Sequence, residues 1–334
     1  MKASFLDPSK RIYTEEVDIP DLDDDQVLVR VESVGICGSD VHYYKHGAIG
    51  PYVVEKPIIL GHELSGVITA VGSSIPENRI GSRVAVEPQR ACTVCKQCKM
   101  GRYNLCPDIE FYATPPIDGA FCEYVKIQSH FAYDIPENIS FDAAALIEPM
   151  SVCIWAAQKA EINVDTKVLI AGAGPIGVIM AQVARAFGAT EVVVTDVQSK
   201  RLDFVKKYGA TRTINTATST LGTEKFDVFI DACGVPSAVY AGILATGPAG
   251  RVLLVGLGHD EMTLPISHIQ NNEIIVTGVF RYTNTWPIGI DFLASGKVDL
   301  DAIVTHHFGL DEVEEGLKTT ANPAAMKVII HPQR

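Results

Sequence analysis

The chain has 334 residues, of which 47% are hydrophobic and 20% charged. That excludes a disordered chain and, at about 150 residues per domain, predicts two domains. With 40 acidic against 28 basic residues the formal charge is −12, and so acidic a surface repels phosphate backbones and anionic lipids, so neither nucleic acid nor a membrane is an expected partner. In chain order, the first 150 residues read as strands at 26–34, 64–71 and 83–87, parted by turns such as Gly72-Ser73-Ser74. The pattern is that of a β-rich lobe with few helices. The texture changes near 150. A helix is predicted over 151–160, a strand over 167–171, and an apolar helix ending near Gly188. A strand at 191–195, a helix at 199–208 and strands at 227–231 and 251–255 follow. Strands alternating with helices predict an α/β fold with a doubly wound parallel sheet. A helix over 312–319 and a strand over 327–331 close the chain.

No stretch offers the roughly 20 consecutive apolar residues of a membrane span, and the opening MKASFLDPSKRIY lacks the apolar run of a secretion signal. A cytoplasmic protein is therefore expected. Eight cysteines occur, at 37, 92, 95, 98, 106, 122, 153 and 233. Four of them crowd into one short segment, which in a long chain without a signal reads as metal binding rather than as disulfides.

Gly172-Ala173-Gly174-Pro175-Ile176-Gly177 is a G-x-G-x-x-G between a predicted strand and a predicted helix. The first glycine permits the tight turn, the second lets the backbone approach a pyrophosphate, and the third lets helix and strand pack closely. The helix N-terminus adds free N–H groups and partial positive charge. Asp196 ends the next strand, where a carboxylate accepts from both adenosine ribose hydroxyls and repels a 2′-phosphate. NAD is thus the expected cofactor, with Arg201 near enough to reach the adenine or ribose. The plainer alternative makes the glycines packing residues and Asp196 a helix cap.

Cys92-x2-Cys95-x2-Cys98-x7-Cys106 supplies the four thiolates of a closed tetrahedral zinc site. No position stays open, so this zinc would be structural. Flanking Lys96, Lys99 and Arg102 partly offset its negative charge. A second constellation is Cys37, His62, Glu63 and Glu148. A thiolate, an imidazole and carboxylates can bind zinc with a place left for water or substrate. Spacing alone leaves a plainer reading open: a buried cysteine, a satisfied core histidine and surface glutamates.

The blocks GICGSDVHYY (35–44), GHELSG (61–66), the four cysteines, MGRYNLCP (100–107), ATPP (113–116), IEPMSV (147–152), GAGPIG (172–177), VTDVQSKRL (194–202) and GVFRYTNTWP (278–287) occur in this order. Through them the chain resembles zinc-dependent medium-chain alcohol dehydrogenases, most of all the polyol branch of sorbitol, xylitol and L-arabinitol dehydrogenases. Animal sorbitol dehydrogenases look similar but lack the complete four-cysteine lobe.

The resemblance implies a GroES-like catalytic domain at 1–150 and 282–334, a Rossmann NAD-binding domain at 151–281, and an active cleft between the lobes. It implies two zinc ions per chain. Cys37, His62 and Glu148 would hold the catalytic one, with Glu63 a ligand or a neighbour through water. The implied reaction is reversible oxidation of a polyol secondary hydroxyl to a ketose, with hydride transfer to NAD. A secondary-alcohol, diol or amino-alcohol substrate is the alternative. Ser39 and His42 match a proton relay, and Glu148 offers another route. Tyr43, Phe111, Thr114, Glu148, Arg281 and Tyr282 would line the substrate pocket. Gly172, Gly174, Pro175, Ile176, Gly177, Asp196 and Arg201 would contact the cofactor, and Gly256, Leu257, Val279, Phe280 and Arg281 would surround the nicotinamide. The family often forms homotetramers and sometimes dimers. His306-His307 is tempting as a metal pair, but adjacent strand residues face opposite ways, so the pair reads as surface or interface.

Overall fold

The computed structural model describes residues 1–258 and 261–334. The chain divides into two compact units, Met1–Glu148 with Leu300–Arg334, and Pro149–Asp299. The chain returns to the first unit at Leu300, later than the expected 282. The reason is local packing: Phe292 of the Trp286–Ala294 helix meets Phe187 edge-on at 5.7 Å between centroids. Asp299 is also tied to Gln182, its N–H donating to Oε1 at 2.8 Å and its carbonyl accepting from Nε2 at 3.1 Å.

The second unit is built on a six-stranded parallel sheet. Its spatial order is Arg212–Asn215, Glu191–Asp196, Lys167–Ala171, Phe226–Asp231, Thr246–Leu254, Ile275–Gly278. The first strand in sequence therefore sits third, and the order reverses between Lys167–Ala171 and Phe226–Asp231. That is the doubly wound arrangement, with its crevice at the carboxyl ends of these two strands. Val192, Val193 and Val194 are all buried, as continuous apolar runs in a sheet covered on both faces must be.

In the first unit, Gln26–Gly35 is the hub. It pairs antiparallel with Glu63–Val71, Tyr124–Gln128 and Lys327–His331. The last of these pairs parallel with Val304–Gly309. Val27, Val29, Val31 and Val34 supply its contribution to the core. Sequence and structure agree on most of these strands to within a residue or two. The helix expected from 151 begins at Ile147, because Pro149 falls in its first turn, where its missing N–H has no partner to lose. The helix expected over 199–208 stops at Val205, and Gly209 in the left-handed region (φ 96°) follows. The expected strand 251–255 is the end of a longer one, Thr246–Leu254. The helices Pro236–Ala245 and Trp286–Ala294 carry too little polar alternation to stand out in the sequence.

Candidate active site and metal centres

Cys37 directly precedes the Gly38–His46 helix, and the Asp40 carboxylate accepts its N–H at 2.8 Å. The other Asp40 oxygen accepts the N–H of Gly61 at 3.0 Å and lies 3.7 Å from His62 Nδ1. One wholly buried carboxylate thus ties the cysteine loop to the histidine loop. Burial raises the Asp40 pKa, and the facing His62 and the two N–H donors work against that rise. A carboxylate behind a ligating histidine orients the ring and fixes its proton.

Glu63 opens the next strand and is buried against Lys327. The Lys327 ammonium donates to Oε1 at 2.6 Å, to Oε2, and to the carbonyl of Ile36 at 3.0 Å, so all three protons are used. Burial opposes the ammonium charge, but the charges of Glu63 and Cys37 hold its pKa above the ordinary value. Gly35 makes the arrangement possible: a Cβ there would overlap the Glu63 carboxylate and press on Leu146.

Ligand atoms of Cys37, His62 and Glu63 all lie within 4.8 Å of one another. Sulfur, nitrogen and oxygen converging at this spacing fit a zinc ion with an open position. Burial first and the Glu63 charge second push the Cys37 thiol up to about 11, so a cation is needed to hold it as thiolate. Glu148 is buried and its charge reaches Lys327, but it is not in the convergent set. Ser39 is half-buried beside Cys37, and His42, one turn later, is exposed with its ring 4.6 Å from that of His46. The Phe111 ring lies 5.5 Å from that of His62. Thr114 sits in the turn after it, and Tyr43 is buried in the first unit's core.

The four cysteines Cys92, Cys95, Cys98 and Cys106 also form a set within 4.8 Å, and none is in a disulfide. Cys92 and Cys98 sulfurs are 4.0 Å apart; tetrahedral zinc thiolates stand about 3.8 Å apart. N–H groups of Cys95 and Val94 bring the Cys92 thiol down to about 7, whereas burial, then neighbouring thiols, push Cys98 up to about 12. The set fits a closed site in which a dication offsets half of the four thiolate charges.

In the second unit Gly172 takes φ 104°, and a Cβ on Gly177 would overlap the Gly172 carbonyl oxygen. The turn at the first glycine and the close packing at the third are therefore physical requirements here, whereas a Cβ on Gly174 would meet nothing within 4 Å. Pro175 opens the helix, and Ile176 accepts the Cys153 thiol at 3.6 Å. Asp196 Oδ2 accepts the N–H of Ala173 at 2.9 Å, and Oδ1 that of Gln198 at 2.8 Å. The carboxylate thus stands beside the glycine turn. Arg201 is half-buried on the following helix. Gly256 donates to the Asp231 carbonyl, Val279 donates to the Leu254 carbonyl, and Leu257 is exposed. The Arg281 guanidinium lies 4.8 Å from the centroid of the exposed Phe280 ring, and Tyr282 is wholly buried, edge-on to Trp286.

Residues 23–137 match the model of the alcohol dehydrogenase GroES-like domain, and residues 175–295 that of the zinc-binding dehydrogenase. Sorbitol dehydrogenase of Bacillus subtilis (strain 168) is 43% identical over 100% of this chain and 98% of its own. The chain belongs to the zinc-dependent medium-chain dehydrogenases, in their polyol branch. Sorbitol dehydrogenase of Mus musculus is likewise 43% identical, over 96% of this chain and 92% of that protein. Among solved structures, a short chain alcohol dehydrogenase of E. coli CFT073 complexed with NADH superposes with a TM-score of 0.93. It is 29% identical, with 99% of each chain covered.

Three residues of this dehydrogenase escaped the sequence reading. Asp40 lay inside a quoted motif but had no role until its two backbone partners were seen. Lys327 gave one signal, a lysine opening the apolar run VII. Asp231 ends the fourth strand of the parallel sheet, buried, and its Oδ1 accepts from the N–H groups of Cys233 and Gly234 at 3.0 and 2.9 Å. It shapes the loop that packs against Gly172. A carboxylate at a strand's carboxyl end in such a sheet was the available signal.

Proposed function

We propose that this protein oxidises a secondary hydroxyl of a polyol to a ketose, reversibly, with NAD as hydride acceptor. The observation that carries the reading is the meeting of Cys37, His62 and Glu63 beside Phe111. The resemblance to sorbitol dehydrogenases runs over the whole chain.

Cys37 and His62, with Glu63 and Glu148, are assigned to a catalytic zinc, and the four-cysteine set to a structural one, two ions per chain. When bound, zinc supplies positive charge that favours loss of the alcohol proton, and NAD supplies the acceptor for the carbinol hydride. Asp40 holds His62 and the Cys37 loop in register. Lys327 neutralises Glu63. Ser39 takes up the alcohol proton and His42, at the exposed end of the same turn, hands it to solvent, with Glu148 the other acceptor. Phe111 walls the sugar carbons, while Tyr43, Thr114, Glu148, Arg281 and Tyr282 are assigned to its hydroxyls. The glycine turn with Pro175 and Ile176 receives the pyrophosphate. Asp196 takes the ribose hydroxyls with Arg201 beside it, favouring NAD over NADP. Gly256, Leu257, Val279, Phe280 and Arg281 are assigned to the nicotinamide end.

The proposed assembly is a homotetramer, with a dimer as the smaller alternative; the edge position of Ile275–Gly278 and the exposure of Ile275 support self-association. Among the described residues no helix is long and apolar enough to cross a membrane. Cytoplasmic location is proposed because eight cysteines with no disulfide among them suit a reducing compartment.

The test is NADH formation with sorbitol, xylitol, galactitol, L-arabinitol and ribitol, alongside simple secondary alcohols and diols. Turnover concentrated on polyols supports the reading; turnover only on simple alcohols or diols moves the protein to another substrate class of the same family.

A further inference from the structure

Three donors outside both sites converge on the surface of the first unit. His307 lies on Val304–Gly309, His331 ends Lys327–His331, and Asp142 lies on the Phe141–Ala145 helix. The two strands pair in parallel with His307 opposite Ile329 and Gly309 opposite His331. That register sets the imidazoles on one face, edge to edge and nearly coplanar, with ring centroids 5.2 Å apart and 14° between planes. His306 turns away and meets the hydroxyl of Thr305 at 2.9 Å. His307 Nδ1 is 2.9 Å from His331 Nε2 and 3.5 Å from Asp142 Oδ2, and His331 Nε2 is 3.8 Å from Asp142 Oδ1. Metal–nitrogen and metal–oxygen bonds of about 2.1 Å in a tetrahedron place ligand atoms about 3.4 Å apart. The separations to Asp142, one to each carboxylate oxygen, lie near that value, and the shorter contact between the rings is a hydrogen bond that an entering ion opens.

The surroundings prepare the donors for a cation. His331 Nδ1 faces the carbonyl of Glu32 at 3.0 Å, and a carbonyl only accepts. The proton therefore sits on Nδ1, and Nε2 turns its lone pair toward His307 and Asp142. The Ser33 hydroxyl donates to Asp142 Oδ1 at 2.6 Å and fixes the carboxylate. These are the outer supports that ligating histidines and carboxylates ordinarily have.

We propose that Asp142, His307 and His331 form a third metal site, which takes a divalent first-row transition ion such as zinc. Two imidazoles and one carboxylate suit such an ion better than magnesium or calcium, which take oxygen ligands. Two neutral rings and one carboxylate leave net charge +1 on the complex. The side chain of His307 is 40% exposed, so the fourth position opens to water or a small ligand. On binding, the His307 proton moves from Nδ1 to Nε2 by exchange with solvent, so that Nδ1 is freed and the ring stays neutral. The ion clasps the two carboxy-terminal strands to the helix that precedes Glu148.

The experiment compares zinc per chain in full-length wild type, His307→Gln and His307→Cys, dialysed against a series of buffered zinc concentrations. His307 is on the surface, and each variant is first checked for wild-type unfolding temperature in chelator and wild-type turnover. The wild type takes up one zinc more than His307→Gln, whose affinity for that ion falls by more than about tenfold. His307→Cys keeps it, because a thiolate replaces the imidazole. Cobalt is the second probe: this ion adds no thiolate-to-metal absorption, unlike cobalt at either cysteine-containing set. Equal uptake by wild type and His307→Gln at every zinc concentration overturns the proposal. So does an additional cobalt in the wild type that absorbs as a thiolate complex; in His307→Cys that absorption is the expected result. Both readouts are differences between variants, so they stand apart from which alcohol the enzyme oxidises.

Discussion

Replacing Lys327 by methionine tests whether the buried pair with Glu63 organises the first unit. The ammonium and carboxylate are 5% and 1% exposed and 2.6 Å apart at Oε1. At an effective dielectric of about 20 their attraction is about 6 kcal/mol, most of it offset by the loss of hydration of both ions. Removing only the lysine leaves an uncompensated buried carboxylate beside Cys37 and an unpaired carbonyl at Ile36, for a loss of about 3–5 kcal/mol. That is a large part of a domain's typical stability. Lys327→Met with Glu63→Gln removes both charges and should cost clearly less than the sum of the single changes. The assay must read the right unit. Trp155 and Trp286 are the chain's two tryptophans and both belong to the Pro149–Asp299 unit, so fluorescence reports the wrong one. Amide hydrogen exchange of Gln26–Gly35 and Lys327–His331 in metal-free protein reads the effect directly, as an acceleration of roughly 10²- to 10⁴-fold. Acceleration below about tenfold in Lys327→Met, or a double variant as damaged as both singles combined, refutes the reasoning.

Glu87 is buried among Gln89, Tyr103 and Tyr133, and burial, outweighing their hydrogen bonds, pushes its pKa from the ordinary 4.5 up to about 7. A raised folded-state pKa gives stability that is full below 4.5 and lost as pH rises through about 7, here roughly 3 kcal/mol. The stability difference between wild type and Glu87→Gln, measured by denaturant unfolding, should therefore change by about 2.5 kcal/mol between pH 5 and 8, part of the loss having occurred by pH 5; parallel curves would exclude it. Asp196→Ala should shift the kcat/KM ratio toward NADP by about 10- to 100-fold, read from reduced-cofactor absorbance with each dinucleotide; an unchanged ratio would leave Asp196 a structural residue of the glycine turn. Cys98→Ser should lose one zinc per chain by elemental analysis and loosen the 92–106 loop to proteolysis while NADH binding persists. Retention of full zinc content would show that the set holds no structural ion.

What was legible in the residues alone was the chemistry of short range. The glycine turn, the strand before it and the helix after it are neighbours in sequence, and their φ values and close contacts follow from that local order. The four cysteines lie within one loop, so their spacing already bounded their separation. Strand periodicity located Gln26–Gly35 and Lys327–His331 because their buried faces alternate or run continuously. The boundaries that slipped did so where tertiary packing overrode local signals, as at residues 282–299, which remain with the second unit through Phe187 and Gln182.

Other features needed the folded chain. Lys327 meets Glu63 across 264 positions, and nothing in either neighbourhood names the other. Asp40 acquires a role only when the loops at 37 and 61 meet on one carboxylate. His306-His307 reads along the chain as a split pair, and alternation does separate the two rings. The parallel register of the last two strands then gives His307 a different partner, His331, and the helix at 141 brings Asp142 to both. Local sequence fixes the direction in which a side chain leaves its own strand; strand register and the packing of distant elements fix what it meets there.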